Sequence, residues 1–274
     1  MNSQLIQQAL AKLITNPKYC EDYYNFRDEI ILSLNLNADM ANMLDIFYDE
    51  NKQKFQASAR ILKKNRWDDI KASLPITTNF IKSNILEELW ENYLNALKLD
   101  SNVPKNPLSE SIHFLIYIGN STLLSILDKQ IINYEKTRNE VTYQHHNDFN
   151  TYPPIKNHDY EGIECLESLK IYIHNCFRIV QFSYNIPAVL KTPFQEVNKP
   201  DNTLVLFFKN LKKEGIGTIK ISFDIKEILL KSIESPNLSE AYKYFKDKLT
   251  VDEFKQLFHQ FEQIGVLNIQ QIEN

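Results

Sequence analysis

His145, His146, Asp148, His158 and Asp159 crowd into one stretch, residues 145–160 (HHNDFNTYPPIKNHDY). Imidazoles and carboxylates are metal ligands and proton carriers. None of these residues pairs with another at the i, i+4 spacing that holds two ligands rigidly on one helix face, and the chain has no CxxC. A polar exposed loop accounts for the stretch, and no metal or other cofactor is expected. Cys165 and Cys176 flank a predicted strand, with His174 two residues before Cys176. A nucleophilic thiol needs a base and a depressed pKa. No third group that would orient His174 can be named, so a buried structural thiol is expected. His113 and His259 stand among helical apolar positions, without paired carboxylates. The chain has only 5 glycines, and neither GxGxxG nor GxxxxGK[ST] can be written in it. A glycine-rich phosphate cradle is therefore excluded. No catalytic residue is assigned.

Two further groups of residues invite a binding role. Trp67 and Trp90, with Tyr23, Tyr24, Phe26, Phe47 and Phe55, could line a groove, but aromatics at helical spacing more often fill a core. The run Lys63-Lys64-Asn65-Arg66 reads as a solvated basic face or a helix-end charge.

Composition bounds the class. Hydrophobic residues make up 43% of the 274 and aromatics 12%, enough for a substantial core, which argues against a disordered chain. The formal charge is −4, whereas a nucleic-acid binder usually carries a basic excess. No apolar run of membrane-spanning length exists, and the first residues lack the pattern of a secretory signal. Three cysteines, Cys20, Cys165 and Cys176, suit reduced thiols in a cytoplasmic protein better than a disulfide framework. The expectation is a cytoplasmic chain that binds neither nucleic acid nor membrane.

The elements that would position any site follow from period and punctuation. Helices are expected from Ser3 as cap, after Asn16-Pro17, over residues 39–47, over a longer stretch carrying Phe55 to Leu74, and from Pro75 through Leu97. A long helix is expected over 108–141, with Gly119 as a kink. The Pro153-Pro154 region then breaks the period, and the pattern changes to β-branched and aromatic alternation. Strands are expected at 169–173, 177–184, 204–208 and 216–223, the last two joined through Lys212-Lys-Glu-Gly215. Three helices follow, at 224–233, 238–249 and 250–264. The last carries a Thr250/Glu253 capping box and stops at Gly265. The fold class expected is mainly α: an N-terminal antiparallel helical bundle (1–142), a linker or exposed loop (143–162), and a small α+β domain (163–274) with a winged-helix-like β-hairpin plus three helices.

Two regions resemble known modules. Residues 9–98 resemble a helical domain common in small bacterial gene clusters. The likeness rests on Ala-Lys-Leu-Ile-Thr-Asn-Pro (11–17), Phe55-Gln-Ala-Ser-Ala-Arg-Ile-Leu62, Arg66, Leu74-Pro75, Trp90 and Tyr93. Residues 177–267 are similar to the module found beside it, through Phe177-Arg-Ile-Val-Gln-Phe-Ser-Tyr-Asn-Ile-Pro-Ala-Val-Leu190 and a tail ending Glu262-Gln-Ile-Gly-Val-Leu267. That tail looks like the peptide-recognition element of ribosomal-peptide pathways. Together they resemble the partner subunits of multinuclear non-haem iron-dependent oxidative enzymes of the methanobactin-biosynthesis type. The resemblance implies a non-catalytic accessory subunit in a heterodimer. It would bind the leader of a ribosomal precursor peptide and present it to a TIM-barrel iron enzyme that modifies cysteines.

The physics of the tail agrees with that implication. An edge strand offers unpaired N–H and C=O groups to an extended peptide. The strand expected to do so comprises Thr218, Ile219, Lys220, Ile221, Ser222 and Phe223, with Leu257 and Phe261 of the final helix as the floor. Lys209, Lys212, Lys213, Lys220 and Lys226 would favour an acidic leader. A winged-helix DNA-binding regulator is the alternative, but its candidate recognition helix carries Asp252, Glu253 and Glu262 against one lysine, Lys255. A scaffold without a peptide ligand and a metal enzyme using the histidines are further alternatives.

Overall fold

A computed structural model describes residues 2–97, 106–147, 166–192 and 200–272. The chain divides into two compact units, Met1–Ile132 and Asn133–Asn274, and the division falls within one helix. The expected fold class holds: helices dominate, with a small antiparallel β part towards the C-terminus.

The first unit contains α1 (Asn2–Thr15), α2 (Pro17–Glu21), α3 (Tyr23–Ser33), α4 (Ala38–Ser73), α5 (Pro75–Phe80), α6 (Ser83–Ala96), α7 (Pro107–Ile118) and the start of α8 (Ile126–Asn147). Local punctuation sets several boundaries. Pro17, Pro75 and Pro107 each open a helix, where the missing N–H costs nothing. Asn37 caps α4 by accepting the Met40 N–H.

Three expectations are corrected here. The helices expected around 39–47 and Phe55–Leu74 are one continuous 36-residue helix. No Gly or Pro interrupts it; Tyr48 and Phe55, on either side of the polar run 49–54, share one core, and the helix runs on to a second. One core gathers Leu13, Tyr23, Ile30, Leu44 and Tyr48, and the other Ile70, Trp90, Phe114 and Ile118. The helix expected from Pro75 to Leu97 is two, α5 and α6, parted at Ile81 and Lys82. The helix expected over 108–141 is also two. Gly119 caps α7 rather than kinking it, and Ser125 and Asp128 cap each other's backbone N–H groups to start α8.

The second unit contains the rest of α8, β1 (Leu169–Ile173), β2 (Phe177–Phe182), α9 (Ile186–Lys191), β3 (Thr203–Lys209), β4 (Ile216–Ile221), α10 (Phe223–Glu234), α11 (Leu238–Lys243), α12 (Val251–Gln263) and β5 (Leu267–Gln271). Strands β2, β3 and β4 form an antiparallel sheet in that order, and β1 pairs with β5 in a second one. β3 is buried on both faces. Leu204, Leu206 and Phe208 face a core with Ile228, Leu229, Phe254 and Phe258, while Phe207 packs edge-on against Tyr134 of α8. Strand β5, unanticipated from sequence, is fastened to α12 by the buried Glu262, whose carboxylate accepts the Ile269 N–H. The expected linker 143–162 lies mostly outside the described residues, and its first positions, to Asn147, continue α8. Among the described residues, no helix is long and apolar enough to cross a membrane.

Candidate functional site

The expected binding strand proves two residues shorter than its alternation suggested. β4 ends at Ile221. Ser222 is the N-cap of α10, accepting the Ile225 N–H at 3.2 Å, and Phe223 is the first helical residue. The short hydroxyl side chain favours the cap over further pairing, so Ser222 and Phe223 leave the candidate strand. Phe223 is nonetheless 57% exposed, just beyond the strand's end.

Among the described residues β4 pairs with β3 alone, so its other side is a sheet edge. The backbone groups on that edge follow from hairpin geometry. Asn210 N–H donates to Gly215 O at 3.1 Å, which makes 210 and 215 a hydrogen-bonded pair. In antiparallel pairing such pairs alternate with non-hydrogen-bonded ones. With the register Lys209↔Ile216 to Leu204↔Ile221, residues Gly217, Ile219 and Ile221 turn their backbone groups to β3. Ile216, Thr218 and Lys220 then turn theirs outward. The side chains divide into the same two sets, one on each face: Ile219 and Ile221 face the helical core, while Thr218 Oγ1 accepts the Tyr134 hydroxyl at 3.0 Å on the other face. Lys220 is exposed, 3.7 Å from Asp201.

An open cavity of about 260 Å³ runs beside the first half of this edge. It is bounded by Gly217, Thr218 and Ile219, the hairpin tip at Lys213 and Glu214, the Phe208 side chain, and Ile264 at the end of α12. Leu257 and Phe261, expected as the floor, are not among the residues that line this cavity. Phe261 is buried in the core and Leu257 is packed partly against it. Ile264, the C-cap of α12 and 45% exposed, does line it. An apolar residue just before a glycine stop reads as core in sequence, so nothing local marked it out.

The tip and the helix end are joined. Asn210 Oδ1 accepts the N–H groups of Lys212 and Lys213 at 2.9 and 3.0 Å, and its Nδ2 donates to Ile264 O at 3.0 Å. Leu211 N–H also donates to Gly265 O. The α12 capping box forms as expected: Thr250 and Glu253 bond reciprocally, and those bonds hold the Glu253 carboxyl below the usual carboxylate range.

The other candidates fare differently. Cys176 is fully buried and its backbone N–H donates to His174 Nδ1 at 3.0 Å. Cys20 is buried too, and desolvation, then Glu21, pushes its thiol up to about 11. His113 and His259 are exposed on helices. Cys165, Asp148, His158 and Asp159, and the side chains of His145 and His146, lie outside the described residues. Among the described residues no group of three or more His, Cys, Asp or Glu could hold a metal ion. Trp90 and Tyr23 are core residues, with Trp67 stacked on Trp90. The reading of Arg66 as part of a solvated face is corrected. Its guanidinium forks onto the buried Glu110 carboxylate, with Nε at 2.7 and 2.8 Å from the two oxygens, and also donates to Thr15 O.

Lys212, Lys213 and Lys220 are exposed around the edge, while Lys209 and Lys226 are half-buried. Their effect is a diffuse positive fringe rather than a defined anion site. The chain matches no known protein-family model and no curated protein sequence.

Proposed function

We propose that the C-terminal unit binds an extended peptide as an added strand along β4. The chain would thereby act as the peptide-presenting, non-catalytic partner of an iron-dependent oxidative enzyme in ribosomal-peptide biosynthesis. The observation that carries the first part is the outward row of Ile216, Thr218 and Lys220 backbone groups beside an open cavity. An edge strand of this kind gains affinity from main-chain hydrogen bonds, and adjacent pockets add selectivity. The lysines around it favour an acidic segment. The second part rests on the resemblance of residues 9–98 and 177–267 to such partner subunits, and on the order of three strands followed by α10, α11 and α12. Presentation of a cysteine-containing precursor to a barrel-type enzyme follows from that resemblance alone. The neighbouring genes test it: they should encode that enzyme and a short cysteine-containing peptide.

Lys220→Pro tests the binding edge. The substitution removes an outward N–H and no ladder bond, a place where an edge strand accepts proline. Peptides selected on the intact chain from a displayed random library, long enough to span β4, serve as the probe. Calorimetry should show their binding lost in Lys220→Pro while its melting temperature stays close to that of the parent. Equal binding by a folded Lys220→Pro chain would place the site elsewhere. Ser222→Pro is no substitute, because it would also remove the cap of α10.

A further inference from the structure

Gly217 stands opposite Phe208 in the β3–β4 register. A Cβ at Gly217 would run into Phe208 Cζ and both Cε atoms. The ring therefore lies across the edge strand, in the space a side chain of β4 would occupy. Covering a strand glycine with a neighbouring aromatic is a recognised device of sheet construction. Here the glycine is on the edge, so a core residue of β3 forms part of the cavity wall on the far side of β4. Phe208 itself is only 2% exposed.

The row of side chains on the helical face of the sheet runs from Phe208 over Gly217 to whatever strand comes next. A segment paired with the outward groups of Ile216, Thr218 and Lys220 places one residue directly opposite Gly217. If that segment runs antiparallel, the pair is a non-hydrogen-bonded one, the kind in which side chains approach most closely. That residue's side chain points to the helical face, where Gly217 offers no side chain to meet it. Its neighbours are the Phe208 ring, Ile219 and the exposed Ile264. The open cavity beside Gly217, about 260 Å³, is the space that side chain would enter.

We infer that the β4 edge selects its ligand by one position: the peptide residue opposite Gly217 inserts a large apolar side chain, aromatic by preference, between Phe208 and Ile264. This rests on the reading of β4 as a peptide-binding edge. Aromatic rings are favoured because an edge-to-face contact with Phe208 adds to the area buried. Lys213 and Glu214 on the rim are of opposite charge, so neither sign of charge is favoured at this position. The peptide's acidic residues belong nearer Lys220.

The test uses the full chain and a displayed library of random peptides. Aligned sequences from the parent chain should share one aromatic or large aliphatic position. Replacing that residue by Ala in a synthetic consensus peptide should weaken binding at least about tenfold by calorimetry. Gly217→Val should block the position, although the displaced Phe208 ring risks the fold. Ile264→Asp changes an exposed residue and keeps the test decisive: it should melt like the parent yet bind the consensus peptide about tenfold more weakly. Peptides that depend on Lys220 but share no apolar position would overturn this inference and leave the edge reading standing. So would an Ala-substituted peptide that binds as tightly as its parent. Failure to enrich any peptide would overturn the edge reading, and this inference with it.

Discussion

Asn210 and Gly265 lock together across the second unit. Gly265 has φ +79°, in the left-handed region, and a Cβ there would strike the Asn210 side-chain amide. The amide in turn bonds the hairpin tip and the carbonyl of Ile264, the C-cap of α12. Gly265→Ala would add backbone strain to a steric clash, and should cost about 1–3 kcal/mol. Asn210→Ala leaves two N–H groups and one carbonyl without this partner, and should cost a similar amount. Because both changes damage one contact, the double variant should lose clearly less than the sum. Urea unfolding of the three variants checks this, and full additivity would count against the lock.

Arg66 and Glu110 should show the asymmetry of a buried ion pair. Glu110 is 4% exposed, and its carboxylate is held by the guanidinium fork. Arg66→Met strands that charge and should destabilise by about 3–5 kcal/mol. Adding Glu110→Leu should recover much of the loss, because the desolvation cost disappears with the charge. A double variant as unstable as Arg66→Met would contradict this account. Trp90, which lies beneath the guanidinium with its ring centre at 5.5 Å, makes indole fluorescence a convenient probe.

Acid should weaken the first unit through Asp45. The bidentate bond from Arg27, and then the Tyr23 hydroxyl, lower its carboxyl below 3.8. A depressed folded-state pKa gives stability that is fully present above the unfolded value. That stability is lost as pH falls through the folded value. The window therefore opens near pH 4 and extends below it. Asp45→Asn should be less stable at pH 7, and its melting temperature should fall less steeply below about pH 4. Parallel pH profiles for the two chains would refute the assignment.

The two buried thiols should be inert while the chain is folded. Cys20 and Cys176 have no exposed surface, and the Cys20 thiol is pushed up to about 11. Mass mapping after alkylation at pH 8 should find both unlabelled in buffer and labelled in urea. Rapid labelling of either in buffer would show that its surroundings open readily.

Much of this architecture was legible because its signals are local. Asn16-Pro17, Pro75 and the Thr250/Glu253 box each set a helix start within a few residues of chain. The continuity of α4 was not legible, because the polar run 49–54 breaks the apolar period while the helix itself needs no apolar residue there. β5 is short and pairs with β1, almost a hundred residues earlier, so no neighbouring residue announces it. The edge position of β4 depends on which strands pair in space, and Ser222 and Phe223 continue the alternation past the strand's end at Ile221. Ile264 and the Phe208–Gly217 contact depend on which strands and helices become neighbours. That information is held by the register rather than by any one segment.

Amide hydrogen exchange, resolved by residue, tests the binding edge most directly. In the free chain the N–H groups of Ile216, Thr218 and Lys220 should exchange quickly, and those of Gly217, Ile219 and Ile221 slowly, because only the latter face β3. Saturation with a selected peptide should slow Ile216, Thr218 and Lys220 at least about tenfold and leave the alternate residues nearly unchanged. A peptide that binds tightly while Ile216, Thr218 and Lys220 exchange as before would contradict strand addition at β4.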